Sequence, residues 1–117
     1  MRGAAEVAEL ATAAQEGLPI VVVVVNNGTY GTIRMHQERR FPERVIATDL
    51  VNPDFAALAR AHGARGERVE ATDEFPDALA RARAAGSPAL IELVCDPEAL
   101  TPGRSLSEIR GETAAVR

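Results

Sequence analysis

No tryptophan, one tyrosine and three phenylalanines stand in 117 residues. The core must therefore be aliphatic, built from Val, Leu, Ile and Ala. A single cysteine, Cys95, excludes an internal disulfide and any cysteine zinc cluster, and it fits a reducing compartment. Basic residues are also scarce: 13 Lys and Arg against 17 Asp and Glu give a net charge of −4. That balance argues against a nucleic-acid or anionic-membrane surface, which requires a basic footprint. No apolar run approaches the roughly twenty residues of a membrane span. "MRGAAEVAEL" also lacks the apolar stretch of a signal peptide. The expected compartment is the cytoplasm, with neither nucleic acid nor membrane as partner.

What is present is a 46% hydrophobic, 26% charged composition typical of a globular chain, long enough for one domain or a piece of a larger one. "AAEVAELATAAQEGLP" sets Val7, Leu10, Ala11 and Ala14 on one helical face, with Gly17 as the stop. Ile20 to Val25 then has no polar alternation, and five consecutive valines favour strand over helix. A strand apolar on both faces belongs inside a parallel sheet, so this run is expected to be central, with Asn26 and Asn27 at its carboxyl end. "YGTIRMHQ" (30–37) predicts a short helix, and "ERRFPERV" reads as loop. "NPDFAALARAHG" predicts a helix with Asn52 as N-cap, Phe55, Leu58, Ala59 and His62 on its face, and Gly63 at its end. A strand near Arg68–Glu70 follows, then a helix from about Thr72 with Phe75, Ala78, Leu79 and Ala82 inward. "PALIELV" is the next strand, and the polar tail carries a helical hint at "LSEIR". The alternation implies an α/β layered fold with right-handed crossovers. Its first element is a helix with no strand before it, from which truncation is expected.

In open α/β sheets ligands bind beyond the carboxyl ends of the strands. Two asparagines and Gly28 stand at such an end. An Asn carbonyl is a neutral, hard oxygen donor suited to Mg²⁺ or Ca²⁺ when phosphates bring the charge. The alternative is a turn, favoured because Asn and Gly tolerate left-handed backbone.

"ELATAAQEGLPIVVVVVNNGTYGTIRMHQE" resembles the C-terminal diphosphate-binding domain of thiamine-diphosphate-dependent enzymes, in the acetolactate synthase-like group. The likeness continues through "TDLVNPDFAALARAHGARGERVE" and "GSPALIELVCDPE", covering nearly the whole chain. It implies a three-layer, Rossmann-like fold with a parallel sheet, its N-terminal strands missing. Residues 1–97 would be a partial C-terminal thiamine-diphosphate-binding domain and 98–117 a C-terminal tail. By the same resemblance Asn27 binds Mg²⁺ through its side-chain oxygen and Thr29 through its main-chain carbonyl. Asn26 braces the loop, Gly28 and Tyr30 shape the wall near the diphosphate, and Ile33 lines the pocket near the thiazolium. A core position in the short helix is the other reading of Ile33.

The family's motif begins with Gly-Asp-Gly, which would end at about Met1, so thiamine diphosphate and Mg²⁺ are expected only with that segment supplied. The sequence also departs from the group at His36, where acetolactate synthases tend to carry an aromatic that shapes the acceptor site. His36 reads either as a catalytic base or as an exposed helix histidine. His62 reads as a packing residue, "RMHQERR" as a solvated face or a contact with the rest of a larger protein, Cys95 as a small buried side chain and Glu9 as part of a structural helix.

The full enzyme implied would decarboxylate a 2-oxo acid, then release an aldehyde or join the remaining unit to an acceptor. The family's activating Glu lies in another domain, normally on a partner subunit, so this chain alone is expected to be inactive, with no catalytic residue of its own. Its partners would be the remaining domains of the enzyme or a homologous subunit, in a homo-oligomer. Two other readings stand beside this: a non-catalytic α/β module that binds a partner protein, and the small subunit of a split thiamine-diphosphate enzyme.

Overall fold

The structure, a computed structural model, describes residues 7–116. Residues 4–6 of the expected first helix, and the place where Gly-Asp-Gly would end, lie outside the described residues. The chain divides into two compact units, one formed by residues up to Asn26 with Asn52–Val94, the other by Asn27–Val51 with Cys95–Arg117.

The first unit is a parallel three-stranded sheet between helices. Helix α1 (Glu9–Gln15) leads to β1 (Val21–Asn26); α3 (Phe55–Ala61), β2 (Arg65–Val69), α4 (Phe75–Ala84) and β3 (Ala89–Val94) complete it. Strand order is β1-β3-β2, every pair parallel. Side chains of β3 alternate between two cores. Leu90 packs with Val7, Leu10, Phe55 and Ala59 on the α1/α3 face, and Val22 and Val24 join them. Ala89 and Ile91 pack with Val69, Ala78 and Ala82 on the α4 face, with Phe75 and Leu79 against them. Leu90 and Ile91 are fully buried, and each such side chain stabilises the fold by about 1.5–3 kcal/mol. This is the expected three-layer α/β arrangement.

One expectation fails here. Among the described residues β1 is an edge strand of the sheet, and β3 is the central one. Val23 and Val25 are 42% and 65% exposed, on the face where α4 covers β2 and β3. Apolarity along a run reports what its faces contact, whereas centrality depends on hydrogen-bonding partners at its edges, which periodicity does not encode.

Local corrections have equally definite causes. The buried stripe of α1 is Val7, Leu10 and Ala13, while Ala11 is exposed, because the stripe advances in steps of three. Gly17 ends α1 at φ +65°, with Leu18 N–H donating to Ala13 O at 2.9 Å, the 6→1 bond of a Schellman cap. Asp54 caps α3: its Oδ1 accepts from Ala57 N–H at 2.8 Å, and the Asn52 side chain is used elsewhere. Strand β2 starts at Arg65, three residues before the expected position. Thr72–Glu74 forms a 3₁₀ turn, and α4 proper starts at Phe75 with Pro76 in its first turn, where the missing N–H is tolerated.

The second unit holds α2 (Gly31–Arg40), a short antiparallel pair β4 (Ala99–Thr101) and β5 (Arg104–Ser105), and α5 (Leu106–Val116). Helix α2 outruns the expected 30–37. Arg39 and Arg40 in its last turn suit the helix dipole, and Glu38, 1% exposed, accepts from Arg110 Nη2 of α5 at 2.7 Å and from Glu43 N–H at 2.9 Å. That pairing explains why an acidic residue continues the helix: its carboxylate is bound on both oxygens. The "LSEIR" hint is the start of α5, whose Leu106 and Ile109 are buried.

Candidate functional site

Asn26 ends β1 inside a polar network of the first unit. Its Nδ2 donates to Glu92 Oε1 at 2.8 Å, and its Oδ1 accepts from Asn52 Nδ2 at 2.8 Å. Glu92 is fully buried on β3, paired in register two residues before the partner of Asn26, so both side chains leave the sheet on the same face. Arg68 Nη1 lies 3.7 Å from Glu92 Oε1. The Asn26 carboxamide is thus engaged at both ends, which suits a brace.

The second unit opens with a tight turn. Gly28 sits at φ +65°, a left-handed conformation that an L side chain adopts only with strain. Asn27 Oδ1 accepts from Thr29 N–H at 3.2 Å, closing an Asx turn. Thr29, 5% exposed, is then fixed from both sides. Its Oγ1 donates to Thr48 O at 2.8 Å; Tyr30 N–H donates to Thr48 O at 2.8 Å, and Leu50 N–H to Gly28 O at 2.9 Å. The Thr29 carbonyl takes no hydrogen bond from the described residues. The turn reading of Asn-Asn-Gly is therefore correct as conformation, and it is compatible with ligation. Asn27 keeps a second lone pair on Oδ1, and the Thr29 carbonyl keeps both of its own.

Glycine at position 31 is a residue that sequence reasoning passed over. A Cβ there would stand 3.1 Å from Asn27 Nδ2 and 3.1 Å from Leu100 Cδ2, so its absence leaves room for the Asn27 amide. Tyr30 and Ile33 are 39% and 52% exposed. Ile33 is not a core residue of α2, and its side chain is open to a ligand or a covering surface. His36 and Glu9 are exposed, His62 and Cys95 half-buried.

Magnesium takes hard oxygen donors and keeps waters readily. The Asn27 amide oxygen and the Thr29 carbonyl are of that kind, held two residues apart by an ordered turn, and they fit. They bring no charge, and among the described residues no three His, Cys, Asp or Glu gather to bind a metal. The neutralising charge would come from a diphosphate. Thr29→Ala should cost about 1 kcal/mol by loss of the Thr48 bond yet keep the carbonyl. Thr29→Pro removes the N–H that closes the turn. Thermal melts of both variants, compared with their magnesium–diphosphate response, separate the two effects.

A parallel α/β sheet with a polar, glycine-turned loop at a strand's carboxyl end defines a class of ligand-binding domain. Residues 3–93 match the family model described as thiamine pyrophosphate enzyme, C-terminal TPP binding domain. The chain belongs to that family, whose cofactor is thiamine diphosphate with Mg²⁺. It is 38% identical over 97 residues to an acetolactate synthase of Mycobacterium bovis, covering 78% of this chain and 16% of that protein. An acetolactate synthase large subunit of Parasynechococcus marenigrum is 37% identical over 111 residues, covering 88% and 18%. Among solved structures, the thiamine diphosphate-dependent 4-hydroxybenzoylformate decarboxylase of Rhodococcus jostii superposes with a TM-score of 0.68 at 34% identity, covering 77% of this chain and 17% of that one. The chain therefore spans less than a fifth of the length of these relatives. No helix among the described residues is long and apolar enough to cross a membrane.

Proposed function

We propose that this chain supplies the magnesium–diphosphate side of a thiamine-diphosphate enzyme that decarboxylates 2-oxo acids or joins the product to an acceptor, as acetolactate synthases do. The observation that carries the reading is the Asn27–Thr29 turn, in which one amide oxygen and one carbonyl are ordered and retain lone pairs. Asn27 and Thr29 bind the metal; Asn26 braces the strand end, Gly28 lets the backbone turn, and Tyr30 and Ile33 offer exposed apolar surface to the cofactor. Bound thiamine diphosphate supplies an electron sink for decarboxylation, and the protein's part is to hold and orient it. In this reading residues 1–97 form the cofactor-binding portion and 98–117 a tail. The chain works together with other domains of the same enzyme, in a homo-oligomer in the cytoplasm. Exposed Val23 and Val25 on β1 support packing against such domains, and the single Cys95 suits the compartment.

Titration of the ¹⁵N-labelled chain with magnesium and thiamine diphosphate tests this. Binding should be weak, because two neutral donors bring no charge to the ion. The amide signals of Asn27, Gly28 and Thr29 should move, and only when both metal and cofactor are present. Asn26→Ala should weaken the response about 10–100-fold, as loss of a supporting partner does, and Asn27→Ala should abolish it. Parental titrations from both variants, with earlier melting only, would make the pair a turn and nothing more.

A further inference from the structure

Glu92 is a charged residue in the most deeply buried strand of the sheet, 0% exposed, with Oε2 lacking a partner among the described residues. Its neighbours on β3, Leu90 and Ile91, are core hydrophobics. A carboxylate costs free energy at such a place, and an apolar residue of similar size would pack without that penalty. Its contacts suggest what it does. Glu92 Oε1 receives Asn26 Nδ2 at 2.8 Å, and Asn26 Oδ1 receives Asn52 Nδ2 at 2.8 Å. A carboxamide can be turned either way, its oxygen and nitrogen being nearly alike in shape, so neither Asn alone fixes the direction of this chain. A carboxylate oxygen accepts and does not donate. The Asn26 NH₂ must therefore face Glu92, its oxygen must face Asn52, and Asn52 must donate. Arg68 Nη1 also lies 3.7 Å from Oε1.

We propose that Glu92 is a positioning residue that sets the donor–acceptor direction of the Asn26–Asn52 amide pair at the carboxyl end of β1. It does so to hold the strand end from which the chain runs directly into the Asn27–Thr29 turn, and in that respect the inference rests on the function proposed above. A glutamine in its place has the same shape but both donates and accepts, so the direction would no longer be imposed.

The test is Glu92→Gln, followed through the side-chain amide resonances of Asn26 and Asn52 without cofactor, then through the magnesium–thiamine diphosphate titration. The single set of Nδ2 signals in the parent should become shifted or doubled in the variant, and the cofactor response should weaken as it does in Asn26→Ala. Leu90→Ala, a core truncation on the same face of β3, should melt earlier and leave both amide signals in place. Unchanged amide signals in Glu92→Gln would overturn the inference. So would the same amide changes in Leu90→Ala, or altered amides with a parental titration. Should Glu92→Gln not fold, the unmodified chain decides. Asn26 Nδ2 protons should exchange with solvent more slowly than those of exposed Gln15, and equal exchange would overturn the claim. Because the amide signals are read without ligand, a chain that fails to bind cofactor leaves them intact, so the two failures are distinguishable.

Discussion

Gly66→Ala should destabilise the first unit by about 3 kcal/mol or more, the upper end of what overpacking costs. A Cβ at Gly66 would stand 2.0 Å from the carbonyl oxygen of Ala56 and 2.8 Å from its carbonyl carbon. Those are backbone atoms of α3, so no rotamer change relieves the clash; the helix must lift from β2. Lifting it would open the core where Phe55, Ala59 and Leu90 meet. The control is Gly103→Ala, where no heavy atom beyond the adjoining residues lies within 4 Å of the added methyl and the change should stay within about 0.5 kcal/mol. Denaturant or thermal melts of the two variants read the difference directly. Equal melting would mean that α3 does not approach β2 as closely as described.

Arg110→Met should cost the second unit about 2–3 kcal/mol. Breaking a fully buried ion pair costs roughly 3–5 kcal/mol because a charge is left uncompensated. Here the Glu38 side chain is 1% exposed but that of Arg110 is 30% exposed, so water screens part of the loss. The effect carries a pH signature. The hydrogen bond from Arg110, opposed by burial and aided by Glu43 N–H and by the charges of Arg110 and Arg34, holds the Glu38 carboxyl below its ordinary value of 4.5. A carboxyl lowered on folding adds stability above its unfolded value and loses it as pH falls through the folded one. The melting difference between parent and Arg110→Met should thus be full above pH 4.5 and shrink in more acidic solution. A difference that grows on acidification would contradict the pairing.

The layered α/β class was legible because periodicity records burial. "FPDALARARA" places Ala78 and Ala82 inward, and "PALIELV" is the strand it promised. Strand order was not legible, since the valines of β1 say which faces are apolar and nothing of which edges are paired. Asn52 shows a second limit. Its place before Pro53 suggests a helix cap, yet its amide is taken by Asn26, twenty-six positions away in sequence, while Asp54 caps α3. A charge inside an otherwise apolar strand is the sequence signal for Glu92, but its partner is an amide on a neighbouring strand, sixty-six positions away, which local sequence does not encode. In the loop, the turn itself was legible and its anchoring was not. Asn27 closes the turn on Thr29 within three residues, whereas the bonds that fix it run to Thr48 and Leu50, about twenty positions on.

The central claim is that Asn27 and Thr29 are metal donors. Crystals of the chain grown with manganese and thiamine diphosphate, measured for anomalous scattering, test it most directly. The account predicts one anomalous peak within bonding distance of both Asn27 Oδ1 and the Thr29 carbonyl, beside density for the diphosphate. A peak elsewhere, or bound cofactor whose metal touches neither oxygen, would contradict it.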